Sequence, residues 1–197
     1  MQTNTENTQT INFLDQLRAD TADSHKNLEK LPLSMSIMSP TVSAEAYALY
    51  LNRMHDVVKN TEETIFPLLQ NIFPDLEERR KLQLINADLS FLNAPKTEFK
   101  SPFTLSEKIS VPFAIGILYV VEGSSLGGRF ILKNLQTALG YDQEGVSYFN
   151  GYGNKTGSSW KHFLNVLTAY EEQNNVGDEI IAGADFAFQA IHSHFSN

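Results

Sequence analysis

The chain has 197 residues, no cysteine and a formal net charge of −8. That length supports a full hydrophobic core in one domain, and the missing cysteines exclude disulfides, thiolate metal sites and cysteine nucleophiles. The acidic balance argues against nucleic acid and anionic membrane surfaces as partners, because both select for positive charge. A hydrophobic fraction of 42% with 11% aromatics is that of an ordinary globular protein. No basic-then-apolar leader and no clean run long enough to span a bilayer is present, so a soluble, cytoplasmic protein is expected.

Residues 1–10 are polar, rich in Thr, Asn and Gln, the composition of a disordered tail. A stripe of Leu14, Leu17, Thr21, His25 and Leu28 at i, i+3/i+4 spacing predicts a helix over 12–30, stopped before Pro32. His25 lies on the apolar side of that stripe. A linker containing Pro32 and Pro40 comes next. Ser43 is the expected cap of a long helix ending near Leu69, with Tyr47, Leu51, Met54, Val58, Ile65 and Leu69 facing inward. Asp75, after Pro74, opens a third helix ending near Leu92, with Leu82, Ile85, Leu89 and Leu92 as its core stripe. Residues 93–102 read as a loop. Thr104-Leu-Ser-Glu107 is a capping-box signature opening the next helical region, Pro112 is expected to break or kink that region, and Gly140 is its expected terminator. Residues 141–157 hold four glycines and few aliphatics, a long loop of the kind a compact domain keeps for function. Ser158 or Ser159 caps a helix over 160–173, and a last helix covers 178–195. No strand alternation and no repeat occurs. The fold class is all-α, six or seven helices, with residues 11–197 as a single domain.

The apolar run over 111–139 is unusual in carrying Gly116, Gly123, Gly127 and Gly128. Each glycine inside a helix costs about 1 kcal/mol relative to alanine, so the cluster gives up roughly 3–4 kcal/mol of local helix stability. At about 100° per residue, Gly123 and Gly127 fall roughly 40° apart on the wheel with Gly116 between them. One face is therefore bare backbone, open to close approach by another helix or by a flat ligand.

Few patterns of known chemistry are present. There is no H-E-x-x-H, no Glu-x-x-His, no G-x-S-x-G, no G-x-G-x-x-G and no Walker sequence, so zinc peptidase, di-iron, hydrolase, dinucleotide and P-loop chemistry lack support. Glu62, Glu63 and Glu122 alone do not make a di-iron site. His192 and His194 are two apart on a helix and face differently, while His55 and His162 read as surface or core-edge residues. His25 interrupts an apolar stripe, which suits a satisfied core histidine, an axial metal ligand or a base. A histidine on one helix and a glycine-faced helix elsewhere would together sandwich a flat metallomacrocycle.

Three stretches carry a family resemblance that spans most of the chain. Leu17-Arg-Ala-Asp-Thr-Ala-Asp-Ser-His25-Lys-Asn-Leu-Glu29 resembles the proximal helix of the haem oxygenases. Tyr119-Val-Val-Glu-Gly-Ser-Ser-Leu-Gly-Gly128 resembles their distal helix. Phe149-Asn-Gly-Tyr-Gly153 through Trp160-Lys-His-Phe163 is similar to the segment after the distal helix in bacterial members. The likeness is strongest to bacterial biliverdin-producing members of the kind associated with bacteriophytochromes. It implies a single helical bundle with His25 as the proximal iron ligand and Gly123, Gly127 and Gly128 over the other haem face. Arg18 and Lys161 match positions where the family holds cations for the haem propionates, and Tyr119 or Tyr152 would add only a neutral donor. Ser124 stands where the animal enzymes place an aspartate that organises distal water, so Ser124, Ser125 or a more distant group must do that here. The implied activity is cleavage of haem, both cofactor and substrate, to biliverdin, CO and ferrous iron with O2. Electrons come from an external ferredoxin or reductase, since no flavin or nicotinamide motif is present. The alternatives are a haem storage or transfer protein, a haem-free protein of the same helical fold (an oxidase or thiaminase-like member), and a helical interaction module whose glycines only pack helices.

Overall fold

The computed structural model describes residues 12–105 and 109–197, and within them the regular structure is entirely helical. The polar tail over 1–10 and half of the expected capping box, Ser106 and Glu107, lie outside the described residues. Helix α1 is Phe13–Glu29, where Asn12 Oδ1 accepts from the Leu14 N–H at 3.1 Å as a cap. Leu17 and Thr21 are buried. His25 is not: its side chain is 56% exposed, so the stripe loses its core character one turn before the helix ends. The expected linker is instead a short helix, α2 (Pro32–Met38), because Pro32 occupies the first helical position, where no N–H is needed.

Helix α3 (Ala44–Asn60) starts as expected, with Ser43 Oγ accepting from Ala46 N–H at 3.2 Å. It continues through a π-helical turn, Thr61–Ile65, into α4 (Phe66–Leu69). Pro67 accounts for the widened turn, since it cannot donate the next i→i−4 bond and Phe66 N–H reaches back to Thr61 O instead. The third helix begins later than its sequence suggests. Residues Glu77–Arg79 form only a 3-10 turn, Arg80 is extended, and α5 runs Leu82–Phe91. A long-range cap sets this start: Glu62 Oε1 accepts from Lys81 N–H at 2.6 Å and from Leu82 N–H at 2.9 Å.

Helix α6 is Val111–Leu139, unbroken at Pro112 because that proline sits in the first turn, behind the Ser110 cap. Gly140 ends it in the left-handed conformation, φ 72°. The expected 141–157 loop contains α7 (Ser147–Asn150) and a 3-10 turn, Gly153–Lys155, that leads straight into α8 (Thr156–Asn174) with no serine cap. Helix α9 is Gly177–Ser196.

Helix α9 is the platform of the fold: α6 and α1 both pack along it. At the α6–α9 crossing two glycines face backbone. A Cβ on Gly116 would lie 2.1 Å from Ile180 O, and one on Gly183 would lie 2.0 Å from Phe113 O. Gly116 therefore serves close helix packing. Among the described residues α6 alone is long and apolar enough to cross a membrane, but 56% of its most apolar window is buried inside this fold, as suits its place at the centre of the core.

Candidate functional site: the cleft between α1 and α6

Both α1 and α6 lie on α9 rather than against each other, and two observations relate α6 to the α1–α2 segment. Arg18 on α1 is near enough to the Tyr119 phenol on α6 to oppose the upward pKa shift that burial imposes on it. Further on, Asn134 Nδ2 of α6 donates to Ile37 O at 3.0 Å and Ser39 O at 2.8 Å at the end of α2. His25 lies seven residues beyond Arg18, and Leu126 lies seven beyond Tyr119, about 10 Å along each axis. His25 and Leu126 are thus equally far along their helices from Arg18 and Tyr119.

The facing surfaces suit a flat ligand. Tyr119, Gly123 and Gly127 fall along one ridge at i, i+4, i+8, and Phe130 lies on the same face one turn on. A Cβ at Gly127 would meet nothing within 4 Å, whereas one at Gly123 would meet the Trp160 ring at 3.4 Å. Gly127 is thus the open position of the ridge. Leu126 is 41% and Phe130 73% exposed, an apolar surface larger than isolated surface residues need. Gly128, about 100° round from Gly127, is buried and backs onto Phe149, where a Cβ would come to 3.3 Å. Its place is packing α6 on α7, away from the cleft.

On the opposite wall the His25 ring makes an edge contact with Phe188 of α9, centroids 5.5 Å apart, and its Nε2 is 3.6 Å from Glu29 Oε1. That carboxylate lies beyond hydrogen-bond distance of the ring, close enough to orient a metal-ligating histidine after a small rotation. Ser24 Oγ, its neighbour, donates to Asp185 Oδ1 at 2.5 Å and pins this part of α1 to α9. Arg18 donates to Asp15 Oδ1 at 3.1 Å and is exposed, and Lys161 is exposed on α8 beside Trp160. Ser124 Oγ donates to Val121 O and Ser125 Oγ to Glu122 O, both at 2.7 Å, so each hydroxyl proton is committed to its own helix.

Behind the glycine ridge lies a buried ionic cluster that the sequence did not reveal as a unit. Glu122, 2% exposed, accepts from Arg79 Nη1 at 2.6 Å, Lys81 Nζ at 2.7 Å and the Tyr152 hydroxyl at 2.7 Å. Arg79 Nη2 also donates to Asp75 Oδ2 at 2.7 Å and Ser159 O at 3.3 Å. Burial works to raise the Glu122 carboxyl, but Lys81, Arg79 and the Tyr152 hydroxyl overcome it and hold the group below its usual range. Tyr152 is thereby engaged with Glu122 and is removed as a propionate donor, whereas Tyr119 faces the cleft. A charged residue inside the 111–139 apolar run was the available signal for this cluster. Arg79 and Lys81 carried none, since they come from a turn that sequence places in a helix.

An exposed imidazole on α1, an uncovered glycine with exposed apolar side chains on α6, and exposed cations on α1 and α8 are a donor set that fits haem. Comparison with known proteins agrees. The family model for heme oxygenase matches residues 11–197. The chain belongs to the haem oxygenase family. It is a haem-degrading enzyme, with haem as substrate and prosthetic group and O2 and a reductant as co-reactants. It is 29% identical to a heme oxygenase of Xanthomonas campestris over 155 residues, 78% of this chain and 88% of that one. It is 28% identical to heme oxygenase PigA of Pseudomonas aeruginosa over 174 residues, 85% and 83% of the two chains. Among solved structures it is similar to the NO- and CO-bound heme oxygenase of Neisseria meningitidis, with a TM-score of 0.75 at 28% identity over 94% of this chain and 92% of that one. The heme complex of heme oxygenase-1 from Synechocystis, at 19% identity and a TM-score of 0.69 over 94% and 91% of the chains, shares the fold.

Proposed function

We propose that this haem oxygenase binds haem in the α1–α6 cleft with His25 as the iron ligand. The observation that carries the proposal is the pairing of an exposed imidazole at His25 with the uncovered Gly127 of α6, in a chain of the haem oxygenase family. When bound, haem supplies the redox-active iron at which O2 is reduced and the porphyrin that is opened, giving biliverdin, CO and ferrous iron. The chain's own contribution is placement. His25 would hold the iron, and Glu29, 3.6 Å from one ring nitrogen, would orient the imidazole. Gly123 and Gly127 would present backbone, not side chain, to the other side of the ligand. Arg18, Lys161 and the Tyr119 hydroxyl stand where the propionates would emerge. Ser124, one turn before Gly128 on the ridge that faces Tyr148 and Phe149, gives its proton to Val121 O and is left as an acceptor on that side of α6. Gly128 acts through the setting of α6 on Phe149. The protein chooses which carbon is attacked by fixing the ligand's orientation. Electrons come from a separate ferredoxin or reductase, and a cytoplasmic location is part of the same proposal.

The test is an absorption time course with one equivalent of hemin, ascorbate or a ferredoxin system, and O2. A Soret band that forms and then decays as a bilin band grows in the red is the expected result. A Soret band that forms and persists refutes degradation and moves the chain to haem storage or transfer. No Soret band refutes the cleft assignment itself.

A further inference from the structure

The Glu122 cluster is costly for a core. Taking a carboxylate and two cations out of water costs several kcal/mol per ion, and well-packed apolar side chains serve stability as well or better. Directional bonds supply something apolar packing does not, a fixed rotation of one helix against its neighbours. Glu122 immediately precedes Gly123, and its three donors come from the turn before α5 and from the segment before α8. Helix Cα atoms ride at roughly 2.3 Å radius, so turning α6 by about 15° would move the Gly127 backbone by about 0.6 Å. That is already the tolerance of a working site, about 0.5 Å.

Arg79 extends the restraint across the cleft wall. One arm of its guanidinium holds Glu122, and the other holds Asp75 and the carbonyl of Ser159. The next residue, Trp160, places its ring 3.4 Å from where a Gly123 Cβ would be and 5.5 Å from the Tyr119 ring. That indole is also the end of a stack, on Phe163 at 5.4 Å and then Phe73 at 5.0 Å, with the Arg79 guanidinium 5.6 Å from the Phe163 ring. A single side chain thus ties the glycine-bearing segment of α6 to the indole that walls it and to the start of the helix that carries Lys161.

We infer that Arg79 is a positioning residue for haem cleavage. Its forked contacts to Glu122 and to Ser159 O set the spacing between Gly123 and Trp160, and with it the room beside Gly127. Lys81 and the neutral Tyr152 hydroxyl complete the donors to Glu122. The inference rests on the proposed haem site for its catalytic consequence, but its geometric core does not.

Trp160 is the sole tryptophan of the chain, so its fluorescence reports the wall without haem. Arg79→Lys keeps the charge but loses the fork, and Tyr152→Phe removes one hydrogen bond while leaving the ion pairs. In haem-free protein whose circular dichroism shows it folded, Arg79→Lys is expected at least to double acrylamide quenching of Trp160. In the hemin complex it is expected to shift the acid–alkaline transition of the ferric spectrum. Hemin affinity is expected within about threefold of wild type, with turnover down about tenfold or more, as for a misplaced site. Tyr152→Phe is expected to show the same pattern at smaller amplitude, and it decides the matter if Arg79→Lys does not fold. Unchanged quenching and an unchanged ferric transition in the folded variants would overturn the inference while haem binding by wild type stands. Failure of wild-type protein to bind hemin would overturn the haem site instead, and the quenching comparison would still decide whether Arg79 holds the wall.

Discussion

The same substitution at two glycines of α6 should have opposite effects, because their surroundings differ. Replacing Gly116 by Ala puts a methyl 2.1 Å from Ile180 O, 2.6 Å from Ala184 N and 2.9 Å from Gly183 C, all backbone of α9. No rotamer relieves that contact, so α6 and α9 must separate. Overpacking costs about 1–3 kcal/mol where side chains can yield; with backbone on both sides the upper figure is the floor. Against it stands the helix-propensity gain of about 1 kcal/mol. The net loss is about 2 kcal/mol or more, a fall in Tm of about 4–8 °C or more for a chain of this size. At Gly127 nothing lies within 4 Å, so only the propensity gain acts. Gly127→Ala should raise the Tm of haem-free protein by about 2–4 °C. The new methyl nevertheless enters the room facing His25, so hemin should still bind while turnover falls by about tenfold, roughly 1.4 kcal/mol in the barrier. Thermal melts by circular dichroism and single-turnover hemin degradation measure both. Shifts of the same sign at the two sites, or wild-type turnover in Gly127→Ala, would refute the division of the glycines into packing and ligand-facing sets.

Named contacts elsewhere in the molecule give three further expectations. His25→Ala should abolish the wild-type ferric haem spectrum and turnover, with added imidazole restoring part of the spectrum; a variant that keeps both leaves His25 without a role as ligand. Arg18→Gln and Lys161→Gln should each weaken hemin binding about two- to fivefold, the scale of exposed ion pairs, and flatten its salt dependence. Titrations at low and high salt would expose a purely solvated charge by showing no change. Acid should destabilise the C-terminal end of α9. His194 Nε2 lies 3.1 Å from Asp56 Oδ2, Lys96 Nζ is 2.8 Å from the same oxygen, and His55 Nδ1 is 3.7 Å from Asp56 Oδ1. Burial lowers both histidines; Lys96 presses His55 further down and Arg53 and Lys96 do so at His194, while Asp56 opposes them. Their folded pKa values therefore lie below the unfolded value near about 6.5. The unfolded chain then binds more protons in that interval, so stability is complete above about pH 6.5 and falls as pH drops through it. Melts between pH 7.5 and 5 should show that slope, and His194→Gln should reduce it.

Legibility in the sequence tracked the range of the interaction that sets each feature. Caps and stops made within one turn were readable: Ser43 on α3, Gly140 after α6, and the stripe that places Leu17 and Thr21 on α9. Features set from a distance were not. The start of α5 depends on Glu62, some twenty residues earlier, and the burial of Glu122 depends on Arg79, Lys81 and Tyr152. In the sequence Pro32 and Pro112 look like interruptions, but a proline in a first helical turn costs nothing, and only the fold shows on which side of the boundary it falls. His25 is legible as an anomaly in an apolar stripe. The stripe overstates its burial, because periodicity cannot show that His25 meets α9 only at its ring edge, on Phe188, and leaves its side chain 56% exposed.

The glycine wheel shows why a pattern in sequence is not yet a site. Gly116, Gly123 and Gly127 share one face of α6, and periodicity treats them alike. Their neighbours divide them along the axis: α9 backbone closes on Gly116, an indole on Gly123, and nothing on Gly127. That gradient, from packed to walled to open, gives the helix a closed end and an open end on one face. The open end is the part of α6 that the proposed haem site sets opposite His25. Stability and ligand access are thus assigned to different turns of one helix. An opened contact at Gly116 would weaken the fold without admitting a ligand, and a filled Gly127 would deny the ligand its room without weakening the fold.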